Sequence, residues 1–365
     1  MGAMSNFDEA LERFQLVDLE YAGGLANHGP MGAHALLALG HQALIPAFVD
    51  RYVPRVPPAR IGRVLTTAER AAARGHMDRA PDWVATFEAE LVGGDWEAVA
   101  VAVLPDLLPG LFAAAGHGLL RTVHAMRALE LEDNGLRRRE LARGLAHWSA
   151  RFSKLPGEPG AQARSTADAG GAVDPAVVLE RLPKLAWPTG GGESFTQAAL
   201  RLETDAADGP FRAVIDGLAI PAHSEVDAFL AQLCRAAAHL YLSRPEARLA
   251  YVHAVTIPSA MRWLARRLPA DAARAGAVYA FQAVAALHAL YGGAPIASAV
   301  DDEVRQTAET WDEIRYRAAC SIEEHAIKLA EACWREDRDM PDPAFRLAAA
   351  EAALHLDGSR SGLRC

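Results

Sequence analysis

Gly116-His-Gly-Leu-Leu-Arg-Thr-Val-His-Ala-Met-Arg-Ala-Leu129 is the stretch whose reading decides the fold. Leu120, Met126 and Leu129 mark it as a largely apolar helix. His117 and His124, seven residues apart, face the same way two turns along it. Outward from this segment the pattern is the same. Alanine, leucine and arginine dominate, and alternating β-branched runs are almost missing, so the expected fold class is all-α. The spacing predicts helices from Asn6, from Pro30 to about Gly40, and near 59–74, 81–92, 95–112, 114–132 and 135–153. After an interruption it predicts more near 196–204, 223–242, 246–268, 270–291, 301–336 and 343–355.

The interruption, 155–192, carries Pro156, Gly157, Pro159, Gly160, Gly170, Gly171 and Gly190-Gly-Gly192. It reads as an irregular, exposed excursion with one short helix near Asp174-Pro175. Histidines of similar character lie on both sides of it, so the expectation is one large multi-helical domain over residues 1–365 rather than two domains.

Hydrophobic residues make up 51% and charged residues 23%, a globular balance. Lys+Arg 37 against Asp+Glu 46 gives a formal charge of −9, with the arginines spread among acids, which argues against nucleic acid as a partner. No apolar run is long enough to span a membrane, and the short polar start is not a signal-peptide pattern. Cys234, Cys320, Cys333 and Cys365 are widely spaced and read as reduced thiols of a cytoplasmic protein.

Familiar catalytic signatures fail. HExxH, a phosphate loop, GxGxxG after a strand and GxSxG are all missing, and position 322, three before His325, is Ile rather than the Glu of a di-iron Glu-x-x-His pair. What remains is a set of histidines placed where an unpartnered imidazole is costly: Asn27-His28-Gly-Pro-Met31, His117 flanked by Gly116 and Gly118, His253 in Leu249-Ala-Tyr-Val-His-Ala-Val-Thr-Ile-Pro258, and Glu324-His325-Ala-Ile-Lys328. Core histidines bonded to carbonyls, and a surface Lys328, are the alternative to a shared metal ion. His325 and Lys328, at i and i+3, share a helix face. A lysine buried there would lose protonation and could take up carbon dioxide as a carbamate, an oxygen ligand.

In this order the pieces resemble the questin oxidase-like family. The resemblance runs from Tyr21-Ala-Gly-Gly-Leu-Ala-Asn-His-Gly-Pro-Met31 through Arg51-Tyr-Val-Pro-Arg-Val-Pro-Pro58, His117-Gly-Leu-Leu-Arg-Thr-Val-His124 and His253-Ala-Val-Thr256 to Lys328. It implies a helical oxidoreductase acting on an aromatic polyketide or anthraquinone, with O₂ as co-substrate and NADPH as a possible external reductant. It implies mononuclear non-heme Fe(II) held by His28, His117, His253, His325 and a carboxylated Lys328, with one position open for O₂. His124 is left as a catalytic neighbour or as a substitute for His117; fungal members carry tyrosine there. The apolar substrate pocket is expected near Trp263, Tyr251 or Phe281, and the second imidazole N–H groups on Asn27, Glu324 or backbone carbonyls. The competing readings are a metal-free, NADPH-dependent Baeyer–Villiger oxidase and a non-catalytic helical ligand-binding protein.

Overall fold

The structure, a computed structural model, describes residues 4–162, 174–187, 194–204, 208–297 and 299–356. It is all-α. Beside the helices, the described residues form one two-stranded ribbon, Glu20–Tyr21 paired antiparallel with Leu25–Ala26. One continuous apolar core runs from Phe7 to Leu356 and takes side chains from both sides of the mid-chain interruption.

Two close approaches set the first half. Helix His117–Leu131 lies along helix Gly135–Arg151, and small residues let the backbones meet. A Cβ on Gly118 would stand 2.5 Å from the Trp148 Cβ, and one on Gly144 would stand 2.9 Å from the backbone N and Cα of Thr122. The chain start is pinned to this pair by the buried Arg137–Asp8 ion pair at 2.9 Å. In the second half, helices Val226–Ser243, Arg248–Ala265 and Ala270–Tyr291 pack side by side, as do Glu324–Asp339 and Pro343–His355. The halves join where Gly29–Ala38 and His117–Leu131 meet Arg248–Ala265 and Glu324–Asp339.

Three expectations need correction. Over 59–74 only Thr67–Ala73 is helical: Thr66 and Glu69 form a capping box that starts the helix late. Gly62 upstream packs so tightly that a Cβ there would stand 2.1 Å from the Pro81 carbonyl carbon. The span 301–336 is three helices, Asp302–Thr307, Trp311–Ser321 and Glu324–Asp339. Thr310 caps the second, and a left-handed Ile322 (φ 51°) turns the chain into the Glu323 cap of the third. The described residues of the mid-chain excursion, 155–162 and 174–187, are irregular around helix Pro175–Glu180, as expected, but Pro156, Pro159, Gly160, Pro175, Leu179 and Leu182 are buried. Gly170, Gly171 and Gly190–Gly192 lie outside the described residues, as does Cys365. No described helix is long and apolar enough to cross a membrane.

Gly144→Ala should lower stability by about 1–3 kcal/mol, because the added methyl must push two helix backbones apart. Gly135→Ala, at the start of the same helix with nothing within 4 Å of the new Cβ, should be neutral or stabilising. Urea unfolding of the two variants checks the contrast; equal midpoints would contradict the close approach.

Candidate metal centre

His28 caps the helix Gly29–Ala38, where Pro30 fixes the first turn. Its backbone N–H donates to the Tyr52 hydroxyl at 2.8 Å. Asn27 braces the turn, accepting from the Gly29 N–H at 3.0 Å and donating to the Asp18 carbonyl at 2.9 Å. Position 29 must be glycine, since a Cβ would fall 2.1 Å from the Phe14 ring.

His117 opens its helix after three left-handed residues, Ala114 (φ 49°), Ala115 (φ 57°) and Gly116 (φ 82°). Alanine rarely adopts this conformation, which costs roughly 1–2 kcal/mol per residue. The turn aims two carbonyls at two imidazoles: Ala114 accepts from His117 Nδ1, and Ala115 bonds His253. His117 Nε2 is buried and, among the described residues, has no hydrogen-bond partner. His253 projects from the middle of helix Arg248–Ala265, with Phe195 edge-on at 5.3 Å.

His325 and Lys328 come from the first turns of Glu324–Asp339. Glu323 caps that helix through the N–H groups of His325 and Ala326, both at 2.8 Å, and its other oxygen bonds His325 Nδ1 at 2.9 Å.

These side chains form one chain of ring contacts in the core. Ring centroids are 4.3 Å apart for His28–His117, 4.7 Å for His28–His325, 4.7 Å for His117–His253 and 6.0 Å for His253–His325. Lys328, 2% exposed, places Nζ 3.1 Å from His28 Nδ1. Glu324 adds a carboxylate: ligand atoms of His28, Glu324 and His325 lie within 4.8 Å of one another. Burial, reinforced by Lys328 and the neighbouring rings, holds the His28 and His253 imidazoles well below the ordinary pKa; His117 is lowered in the same way against the pull of the Ala114 carbonyl. Neutral imidazole is the metal-binding form. Burial pushes the Glu323 carboxyl up, but His325 and the helix N–H groups outweigh it and the net shift is down.

His124 does not join this group. Seven residues along the helix carry it about 10 Å from His117, and its Nδ1 lies 2.9 Å from Nδ1 of His34, so that one N–H bridges the pair. Burial drives His34 well down and His124 to about 3, although Glu331 opposes both. The Glu331 carboxylate is itself held by Arg127 at 2.6 Å and Arg335 at 2.8 Å. His34, Glu323 and Phe195 are absent from the expectations above. The Ser321-x-Glu323 start before His325 was the available signal for Glu323; nothing local marks the others. The three aromatics expected at the pocket are otherwise engaged. Tyr251 bonds His288 at 2.9 Å, Phe281 packs on Phe229, and Trp263 lies under Arg267 at 3.6 Å. Asn27 braces backbone rather than an imidazole nitrogen.

Neither the family models nor the curated proteins contain a match to this chain.

The buried imidazoles set a pH dependence. Below the ordinary value near 6.5 the unfolded chain takes up protons that His28, His34, His117, His124 and His253 refuse when folded. Their contribution to stability is therefore complete above about pH 7 and is lost as pH falls, by up to about 1.4 kcal/mol per pH unit for each imidazole. Urea midpoints of metal-free protein between about pH 7.5 and pH 5 should drop steeply; a flat profile would mean that the imidazoles are hydrated.

Proposed function

We propose that this chain is a mononuclear, non-heme iron oxygenase that oxidises or opens a ring of an aromatic polyketide or anthraquinone-type substrate, in the cytoplasm. The observation that carries the reading is the convergence of four buried imidazoles, His28, His117, His253 and His325, from four separate helices or their caps. A core histidine with only a structural role has both nitrogens engaged, whereas here, among the described residues, His117 Nε2 is buried without a hydrogen-bond partner. Such an atom normally costs about 1–3 kcal/mol, which a bound ion would relieve.

The donor set fits Fe(II): several imidazoles with an oxygen donor suit it, although nickel, cobalt and zinc share those preferences. Bound iron would supply the capacity to activate O₂. The chain's own part is to keep water out, to hold the rings in their metal-binding tautomers through the Ala114 carbonyl and Glu323, and to leave Lys328 against His28. The aromatic substrate class rests on the family resemblance, as does a role for external NADPH.

Protein purified without a histidine tag should carry about one iron per chain, and His253→Gln should carry almost none while still folding. Wild-type protein should consume O₂ in the presence of a hydroxyanthraquinone, with or without NADPH. Turnover with no metal present would instead support the metal-free oxidase, and the absence of both metal and turnover the ligand-binding reading.

A further inference from the structure

Two consecutive carboxylates open the Glu324–Asp339 helix, and they do different work. Glu323 is spent on the helix cap and on His325 Nδ1. Glu324, 8% exposed, is turned inward and groups with His28 and His325. Among the described residues no other three histidine, cysteine or acidic side chains come together this closely. Atoms bound at roughly 2.0–2.2 Å to one ion are at most about 4.4 Å apart, so the 4.8 Å envelope needs only a slight closure.

Charge points the same way. A divalent ion among neutral imidazoles in a dry core would be left largely uncompensated, and a carboxylate in contact with it removes much of that cost. The Glu324 carboxyl group is already in place, so no carbon dioxide has to be captured. Lys328, by contrast, is engaged with His28 Nδ1.

We propose that Glu324 is the oxygen ligand of the centre. With His28 and His325 it forms a two-histidine, one-carboxylate face, the donor set typical of non-heme Fe(II) oxygenases. His117, beside His28, and His253, beside His117, line the other side of the centre. Lys328 is a positioning residue that holds His28 from outside the ligand set. The inference rests on the chain binding a divalent metal, as proposed above.

Co(II) titration of the full-length protein, followed by its visible spectrum, tests it in carbon dioxide-free buffer and again with added bicarbonate. Glu324→Gln should weaken Co(II) binding by about a hundredfold or more and change the spectrum. Glu324→Asp keeps the negative charge at the helix start but withdraws the carboxylate. It should match wild-type thermal stability without metal and still bind Co(II) more weakly, which separates a ligand from a residue that only favours the helix dipole. Lys328→Met should weaken binding by about ten- to a hundredfold, as expected for an outer neighbour, but keep the wild-type spectrum and show no response to bicarbonate. Wild-type affinity and spectrum in Glu324→Gln would overturn the proposal. So would Co(II) binding that needs bicarbonate in the wild type and is lost in Lys328→Met, since the oxygen ligand would then be a carbamate. If the wild type bound no Co(II) or Fe(II) at all, the metal-centre reading itself would fall, and this inference with it.

Discussion

An imidazole taken out of water must give up its charge and still satisfy two nitrogens. At His28, His117 and His253 burial is the largest influence on the ring, and much of the surrounding architecture answers that constraint. The left-handed turn before His117 delivers carbonyls to two rings. The Glu323 cap serves helix and imidazole at once. Gly29 admits Phe14 against the His28 turn, and Gly116 leaves room for Ile257, 2.6 Å from where a Cβ would stand. The glycines beside these histidines are thus steric requirements of the rings' surroundings.

Around these histidines lies a shell of buried ion pairs. Glu331 is clasped by Arg127 and Arg335, and Arg335 reaches Ser259, which donates to Glu336 at 2.5 Å. Arg262 closes the chain on Glu336 at 2.7 Å. Buried pairs of this kind add little net stability over apolar packing, but losing one partner is severe. They therefore fix the relative position of helices Arg248–Ala265 and Glu324–Asp339, which carry His253 and His325. The His34–His124 pair belongs to this outer shell.

The helical class was legible in the chain because alanine- and leucine-rich periodicity is a local property. Helix Ala270–Tyr291 falls on its expected bounds for that reason. Boundaries set by capping were legible in principle, as the Thr66–Glu69 box shows, yet were overridden by apolar periodicity across 59–74 and 301–336. The meeting of His28, His117, His253 and His325 could not follow from spacing, since helices separated by up to 297 positions must first pack. The ordered family resemblance supplied that grouping. His124 shows the limit of facing arguments: sharing a helix face with His117 placed it on the same side but beside a different partner, His34. Glu324 was expected as the partner of an imidazole N–H, but Glu323 takes that place at His325 Nδ1, and its capping position leaves Glu324 to turn inward.

The strained turn at Ala114–Ala115 bears on how the protein tolerates sequence change. Glycine relaxes readily into left-handed backbone, so replacing either alanine would relieve native strain while enlarging the freedom of the unfolded chain. These two effects oppose one another, and selection for thermal robustness alone would exert little pull on either position. What alanine adds is stiffness in the segment that carries the two carbonyls. Directed evolution for heat tolerance could therefore drift to glycine here and, without any visible cost to folding, yield protein whose His117 ring no longer has a fixed bearing.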